Sequence, residues 1–205
     1  MTRNQFSYVN YADRRVISNL LYWQDKIQNY LMEFYSRDRR NPLGTTFGDC
    51  ISKSFELLDY ARDNPTMFRG VVSDNMLQAG AIIEYRIGEI YLYDERQQYV
   101  LIDILCSAPW NCLPQPIAET RKGAAPWLIA DIIEEITSGS SNISGIFKVA
   151  AIPRAIESYE SIGFEENPDG SREMILTEEK ALQFLEEYKL RWRQGDDPRR
   201  SKCLD

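Results

Sequence analysis

Between Asp13 and Ser36 the apolar side chains Val16, Leu20, Trp23, Ile27, Leu31 and Phe34 recur at steps of three and four residues. That spacing gathers them on one stripe and predicts a long amphipathic helix, broken by Asn41-Pro42-Leu43-Gly44. A second helix is predicted over 47–62, with Thr46 as N-cap, Asp63-Asn64-Pro65 as its stop, and Phe47, Ile51, Phe55 and Leu58 buried. The period then drops to two. Residues 68–73 and 77–85 read as a hairpin turning at Asp74-Asn75; 89–93 and 98–107 read as further strands around a turn at 94–97. Helical spacing returns over 125–136, burying Leu128, Ile129, Ile132, Ile133 and Ile136, with Asp131, Glu134 and Glu135 on the opposite face. A polar loop at 138–144 and a strand at 145–150 come next. Strand, helix, strand in that order predicts a right-handed crossover between parallel neighbours. A short helix over 153–162, strand-like 164–167 and 172–176 about a turn at 168–170, and a charged helix from Thr177 to about Arg193 complete the pattern. The fold class is α/β (α+β), without internal repeats.

Composition narrows the options. A chain of 205 residues, 43% apolar and 27% charged, is long enough for one soluble domain with a substantial core. A net charge of -7 and a pI near 4.9 lead to the expectation of no nucleic-acid partner, because phosphate binding needs a concentrated basic surface. Arg37, Arg39 and Arg40 read as a solvated helix end. The absence of histidine excludes His-dependent triads, His bases and His metal ligands. Cys50, Cys106, Cys112 and Cys203 form no C-x-x-C pair, so neither a zinc site nor a disulfide scaffold is expected. No apolar signal core or membrane-length run is present, which makes a cytoplasmic, reducing location and no membrane partner the expectation.

The chemistry concentrates in two runs, Thr120 to Ile129 (TRKGAAPWLI) and Ser158 to Phe164 (SYESIGF). The first is a small-residue basic turn opening into a helix, where unpaired N–H groups and the positive helix end suit a phosphate. With Leu128 and Ile129 behind it, and with Ile102, Leu105, Ser107 and Pro109 upstream and Ala155, Tyr159, Gly163 and Phe164 downstream, the pattern resembles the GNAT family of acyl-CoA-dependent N-acetyltransferases. The likeness covers roughly residues 68–177. Thr120 stands where the family has Arg or Gln, Ser107 where it has Val, and Ile152 where Asn is usual, and residues 110–119 are an insertion.

The resemblance implies a GNAT fold: a mixed, mostly antiparallel central sheet flanked by helices, with the parallel crossover at the coenzyme site. It implies one domain over 1–194 (a helical N-terminal region at 1–65, an acetyl-CoA-binding core at 66–177, a C-terminal helix at 178–194) and a flexible tail at 195–205. Acetyl-CoA is the implied acyl donor. Backbone groups of Leu105, Cys106 and Ser107 would meet its pantetheine arm, the amides from Arg121 through Lys122, Gly123, Ala124 and Ala125 its diphosphate, and Arg154 a phosphate. Tyr159 would protonate the leaving thiolate. Asp103, set in the apolar run LIDILC, and Glu84 are both open as the base, each equally readable as an arginine partner. The function classes are then an N-acetyltransferase acting on a primary amine of a small molecule or peptide by direct attack in a ternary complex, and a catalytically degenerate GNAT-fold protein that binds CoA, an acyl ligand or a partner. Whether the insertion borders the acceptor mouth or bulges outward, and whether the chain is a homodimer, stay open.

Overall fold

The structure is a computed structural model that describes residues 6–36, 41–138 and 145–193. The arginine cluster at 37–40, most of the 138–144 loop, Cys203 and the 195–205 tail lie outside the described residues. Strands β1 (Ser7–Val9), β2 (Phe68–Ser73), β3 (Met76–Gly88), β4 (Gln97–Ser107), β5 (Phe147–Ala150), β6 (Glu165–Glu166) and β7 (Glu173–Leu176) form one sheet in the order β1-β2-β3-β4-β5-β7-β6. Neighbours are antiparallel except β4 and β5, the parallel pair. Helices α1 (Arg14–Tyr30) and α2 (Thr46–Asp63) cover one face of the sheet. Helices α3 (Ala124–Ser138), α4 (Ile156–Glu160) and α5 (Glu178–Arg193) cover the other. The hairpin between β2 and β3 turns at Asp74 and Asn75, whose φ values of 51° and 64° are the left-handed pair that a two-residue connection requires.

Several expectations are corrected. The cap of α2 is Thr45, not Thr46: its backbone is extended, and its Oγ1 accepts from the Gly48 N–H at 3.0 Å. The buried stripe of α2 is Phe47, Cys50, Ser54, Leu57, Leu58 and Ala61, while Phe55 is exposed. Turning small side chains inward brings the helix close against β4. The stripe of α1 holds through Ile27, but Leu31–Ser36 widen into a π-turn. The extra residue per turn rotates the end of the helix, so Phe34 is exposed and Tyr35 is buried, stacked on Phe47 at 5.3 Å. Residues 89–93 are not a strand: β3 runs to Gly88 and pairs directly with β4, leaving Ile90 to bury against Ile146 and Ile175.

The most consequential correction lies in β4. Ile83 pairs with Ile102 and Ile82 with Ile104, so Asp103 is the extra residue of a β-bulge. Before it, Val100 and Ile102 face the α3 side; after it, Ile104 and Cys106 face the α1–α2 side. The alternation that would have placed Asp103 with Leu101, Leu105 and Ser107 is therefore broken, and Asp103 is exposed, not embedded.

The polar face of α3 is only partly solvated. Arg69, 6% exposed on β2, binds Glu135 through two 2.7 Å hydrogen bonds and gives Nη1 to the carbonyls of Asn10, Thr66 and Phe68. The Tyr8 hydroxyl also donates to Glu135, which fastens β1 and β2 to α3. Asp131 has a buried oxygen, Oδ2, with no hydrogen-bond partner among the described residues. Burial, then the neighbouring Glu134, lift its pKa to about 6 against the opposing pull of Trp127 and Lys189. A raised carboxyl favours the fold in its protonated form, so this contribution is complete below pH 4 and is lost as pH rises through 6. Asp131→Asn is therefore expected to match the wild type near pH 4 and to exceed it by roughly 1 kcal/mol above pH 7, allowing for solvent screening, in urea denaturation followed across pH.

Candidate active site

Two strands that begin as neighbours separate. Pairing of β4 with β5 stops after Val100–Ile102 against Phe147–Val149, yet β4 continues to Ser107. The Ala108 N–H donates to the Gln78 carbonyl on the β3 side at 2.9 Å. Counting back from it by alternation, Leu105 turns its backbone groups, and Ser107 its N–H, toward the gap that β5 has left. Cys106 does not. It pairs with Gly80 of β3, and its thiol lies 3.9 Å from that of Cys50 in the α1–α2 core. The Ser107 carbonyl accepts from the Cys50 thiol at 3.4 Å. The adjacent thiols of Cys106 and Cys112, followed by burial, push the Cys50 thiol well above its usual range, which makes it a poor thiolate nucleophile.

At the open end of this gap stands the start of α3. Gly123 has φ +82°, a left-handed conformation that swings the chain into the helix at Ala124. The Trp127 N–H closes onto the Gly123 carbonyl at 3.0 Å. The amides of Lys122, Gly123, Ala124 and Ala125 make no hydrogen bond to any described residue, and Pro126 has no N–H to satisfy. These residues line a cavity of about 420 Å³ together with Ser107 and with Leu113, Pro114 and Pro116 of the insertion. The insertion thus borders the cavity. It is anchored by Trp110, fully buried against Trp23, and by the 3.1 Å ion pair between Glu119 and Lys26 of α1. A wider depression of about 770 Å³ along α1 is lined by Lys26, Tyr30 and Glu33 among others.

Both candidate arginines are already engaged. The Arg121 guanidinium bonds Asp74 at 2.7 Å and the carbonyls of Ala118 and Thr120, and its N–H donates to Asn111 Oδ1 at 2.8 Å. It braces the turn and contributes no free amide. Arg154 pairs with Asp49 at 3.0 Å and donates to the Gly44 carbonyl, tying the segment after β5 to the start of α2. Lys122 remains exposed at the cavity rim.

Tyr159 is 5% exposed on α4, packed edge-on to Phe164 at 5.3 Å. It shares an apolar cluster with Ala124, and Leu105 packs against that cluster. Burial pushes its phenol well above the usual range, so the hydroxyl stays protonated, and Tyr159 is not among the residues lining the cavity. Glu84 is held by Arg86, and neither Glu84 nor Asp103 lines the cavity. The residues that organise the turn, Gln78, Asn111 and Asp74, were not anticipated. Gln78 had one signal, a polar residue inside the apolar run MLQAGAII.

No family model matches the sequence, and no curated protein matches it. Solved structures do match. A tyrosine-to-phenylalanine mutant of KacT aligns with TM-score 0.55 at 11% identity, over 88% of this chain and 99% of that one. AtaT complexed with acetyl-methionyl-tRNAfMet aligns with TM-score 0.53 at 11% identity, over 88% and 98%. A mutant AtaT toxin bound to acetyl-CoA and the C-terminus of the antitoxin AtaR gives 0.50 at 13%, over 67% and 84%. The chain has the GNAT fold. At these identities the likeness is one of fold. It also corrects the expectation of no nucleic-acid partner: AtaT, with the same fold, is seen on an RNA, so net charge alone does not exclude one. Net charge sums the whole surface, whereas binding responds to the local field.

Within the GNAT fold, Gly123→Ala tests the turn. A Cβ there meets nothing within 4 Å, so only backbone strain should register. A loss of roughly 1 kcal/mol in thermal or urea unfolding is expected.

Proposed function

We propose that this chain transfers the acetyl group of acetyl-CoA to a primary amine by direct attack within a ternary complex. The observation that carries the reading is the row of unpartnered amides from Lys122 to Ala125, lining a cavity at the mouth of the β4–β5 gap. Four N–H groups at the positive end of α3 suit a diphosphate, and the gap bordered by Leu105 and Ser107 suits an extended amide-bearing arm. The AtaT structure with acetyl-CoA supports the assignment by similarity of fold. Three free cysteines, Cys50, Cys106 and Cys112, fit a reducing cytoplasm, where acetyl-CoA is also available.

In this mechanism the amine nitrogen attacks the thioester carbonyl carbon, the C–S bond breaks, the departing thiolate takes its proton from the Tyr159 hydroxyl, and solvent returns a proton to the phenolate, which burial makes strongly basic. Solvent accepts the proton from the amine. Proton loss to solvent favours an acceptor that is already substantially neutral. An α-amine, with a pKa of about 7.7–8.0, offers roughly 200–400 times more neutral nucleophile at pH 7 than a lysine side chain at about 10.4. The α-amines of peptides and of aminoacyl esters belong to this class, and the acetylated aminoacyl-tRNA on AtaT is chemistry of the same kind.

Saturable thermal stabilisation by acetyl-CoA, followed by thiol release with a panel of α-amines (dipeptides, amino-acid esters, aminoacyl-tRNA) against Nα-blocked lysine, tests the proposal. Turnover is expected with α-amines and not with the blocked lysine. No stabilisation at millimolar acetyl-CoA would leave a non-catalytic, partner-binding protein. Tyr159→Phe is expected to lower kcat by at least tenfold while changing the Kd for CoA by less than twofold; unchanged kcat would remove Tyr159 from proton transfer.

A further inference from the structure

The amides proposed to hold the diphosphate belong to a turn with little secondary structure of its own, so something else must fix their direction. A buried polar chain from the sheet does so. Gln78 is wholly buried on β3, and its Oε1 accepts from Trp110 Nε1 at 2.9 Å and from Asn111 Nδ2 at 3.2 Å. Asn111 Nδ2 also donates to the Gln78 carbonyl at 3.1 Å. On its other side, Asn111 Oδ1 accepts the Arg121 N–H at 2.8 Å. The side chain of Asn111 is therefore a strut with both ends committed, one on the sheet and one on the first residue of the turn. A parallel connection runs through Thr120, whose Oγ1 donates to the Trp110 carbonyl at 3.0 Å and accepts from the Ile117 N–H at 3.0 Å. All of these contacts originate in the segment from Trp110 to Thr120, which buries Trp110 and borders the cavity with Leu113 and Pro114.

The geometry points to Asn111, seconded by Thr120, as the positioning residue that aims the Lys122–Ala125 amides at the diphosphate of the acyl donor. This rests on the acetyl-CoA reading above. Asn111 and Thr120 line the cavity, but the amide nitrogen and Oδ1 of Asn111 are bonded to Gln78 and Arg121, so its action is assigned to the turn. Oriented N–H groups bind an anion in proportion to their alignment, and a turn released from Arg121 would have to be ordered again by the ligand at the cost of affinity.

The readout must separate aiming the diphosphate from holding the fold. Pantetheine carries the arm without the diphosphate, so CoA and pantetheine are compared by calorimetry on each variant, and acetyl-CoA by steady-state kinetics. Asn111→Ala is expected to raise the Kd for CoA about tenfold and the KM for acetyl-CoA in step, with kcat and the Kd for pantetheine within twofold of wild type. Thr120→Val, which keeps the side-chain shape, should give the same selective loss at about threefold, and Thr120→Ser, which keeps the hydroxyl, should restore it. Unchanged CoA binding in both Asn111→Ala and Thr120→Val, or an equal loss for CoA and pantetheine, overturns the positioning role while leaving the acetyltransferase reading intact. A wild-type protein that fails to bind CoA overturns that reading instead.

Discussion

The structure depends on one interrupted set of hydrogen bonds. β4 and β5 pair over three residues and then diverge, so β4 passes the middle of the sheet with one edge unfilled. Exposed strand edges are normally covered, charged or shortened, because unpaired N–H and C=O groups are costly to bury and prone to pair with another chain. Here the edge is flanked by the start of α3 on one side and by the thiol-rich contact between α2 and β4 on the other. The bulge at Asp103 sits where the divergence begins, and by exchanging the two faces of β4 it lets a single strand serve both apolar clusters.

Electrostatics at this gap arises from the backbone more than from side chains. Arg121 at the turn and Arg154 after β5 are spent on Asp74 and Asp49, joining segments far apart in sequence. The groups left to meet an anion are amide dipoles at the positive end of α3, with Lys122 at the rim. That arrangement gives a chain of net charge -7 a locally positive backbone, which the sum of charges over the whole surface does not register. The Thr120 hydroxyl is used within the protein, donating to the Trp110 carbonyl and accepting from the Ile117 N–H.

Much of the fold was legible in the letters. The stripes of α1 and α3, the Asp74-Asn75 hairpin and the crossover from β4 through α3 to β5 follow from hydrophobic period and turn chemistry, which act between residues close in sequence. So does the small-residue turn ahead of α3. Errors arose where packing overrode period. Phe55 looked like a core residue and is exposed, because the sheet beneath α2 accepts Cys50, Ser54 and Ala61 instead. Asp103 looked buried because its neighbours are apolar, and a single inserted residue reversed the faces around it. Arg121 and Arg154 looked free because their partners, Asp74 and Asp49, lie 47 and 105 positions away.

By itself, then, the amino-acid order determined the kinds of element, their succession, and a small-residue turn opening into α3. These are consequences of local torsion preferences and of side chains spaced by one helical turn or one pleat. Only the assembled tertiary structure decided where β4 loses its partner, which way Leu105 and Ser107 point, and which side chains hold the turn at Arg121. Those outcomes depend on contacts such as Gln78 to Asn111, between residues whose proximity no local rule encodes and whose hydrogen-bonding capacity is used up only when the strands and the insertion meet.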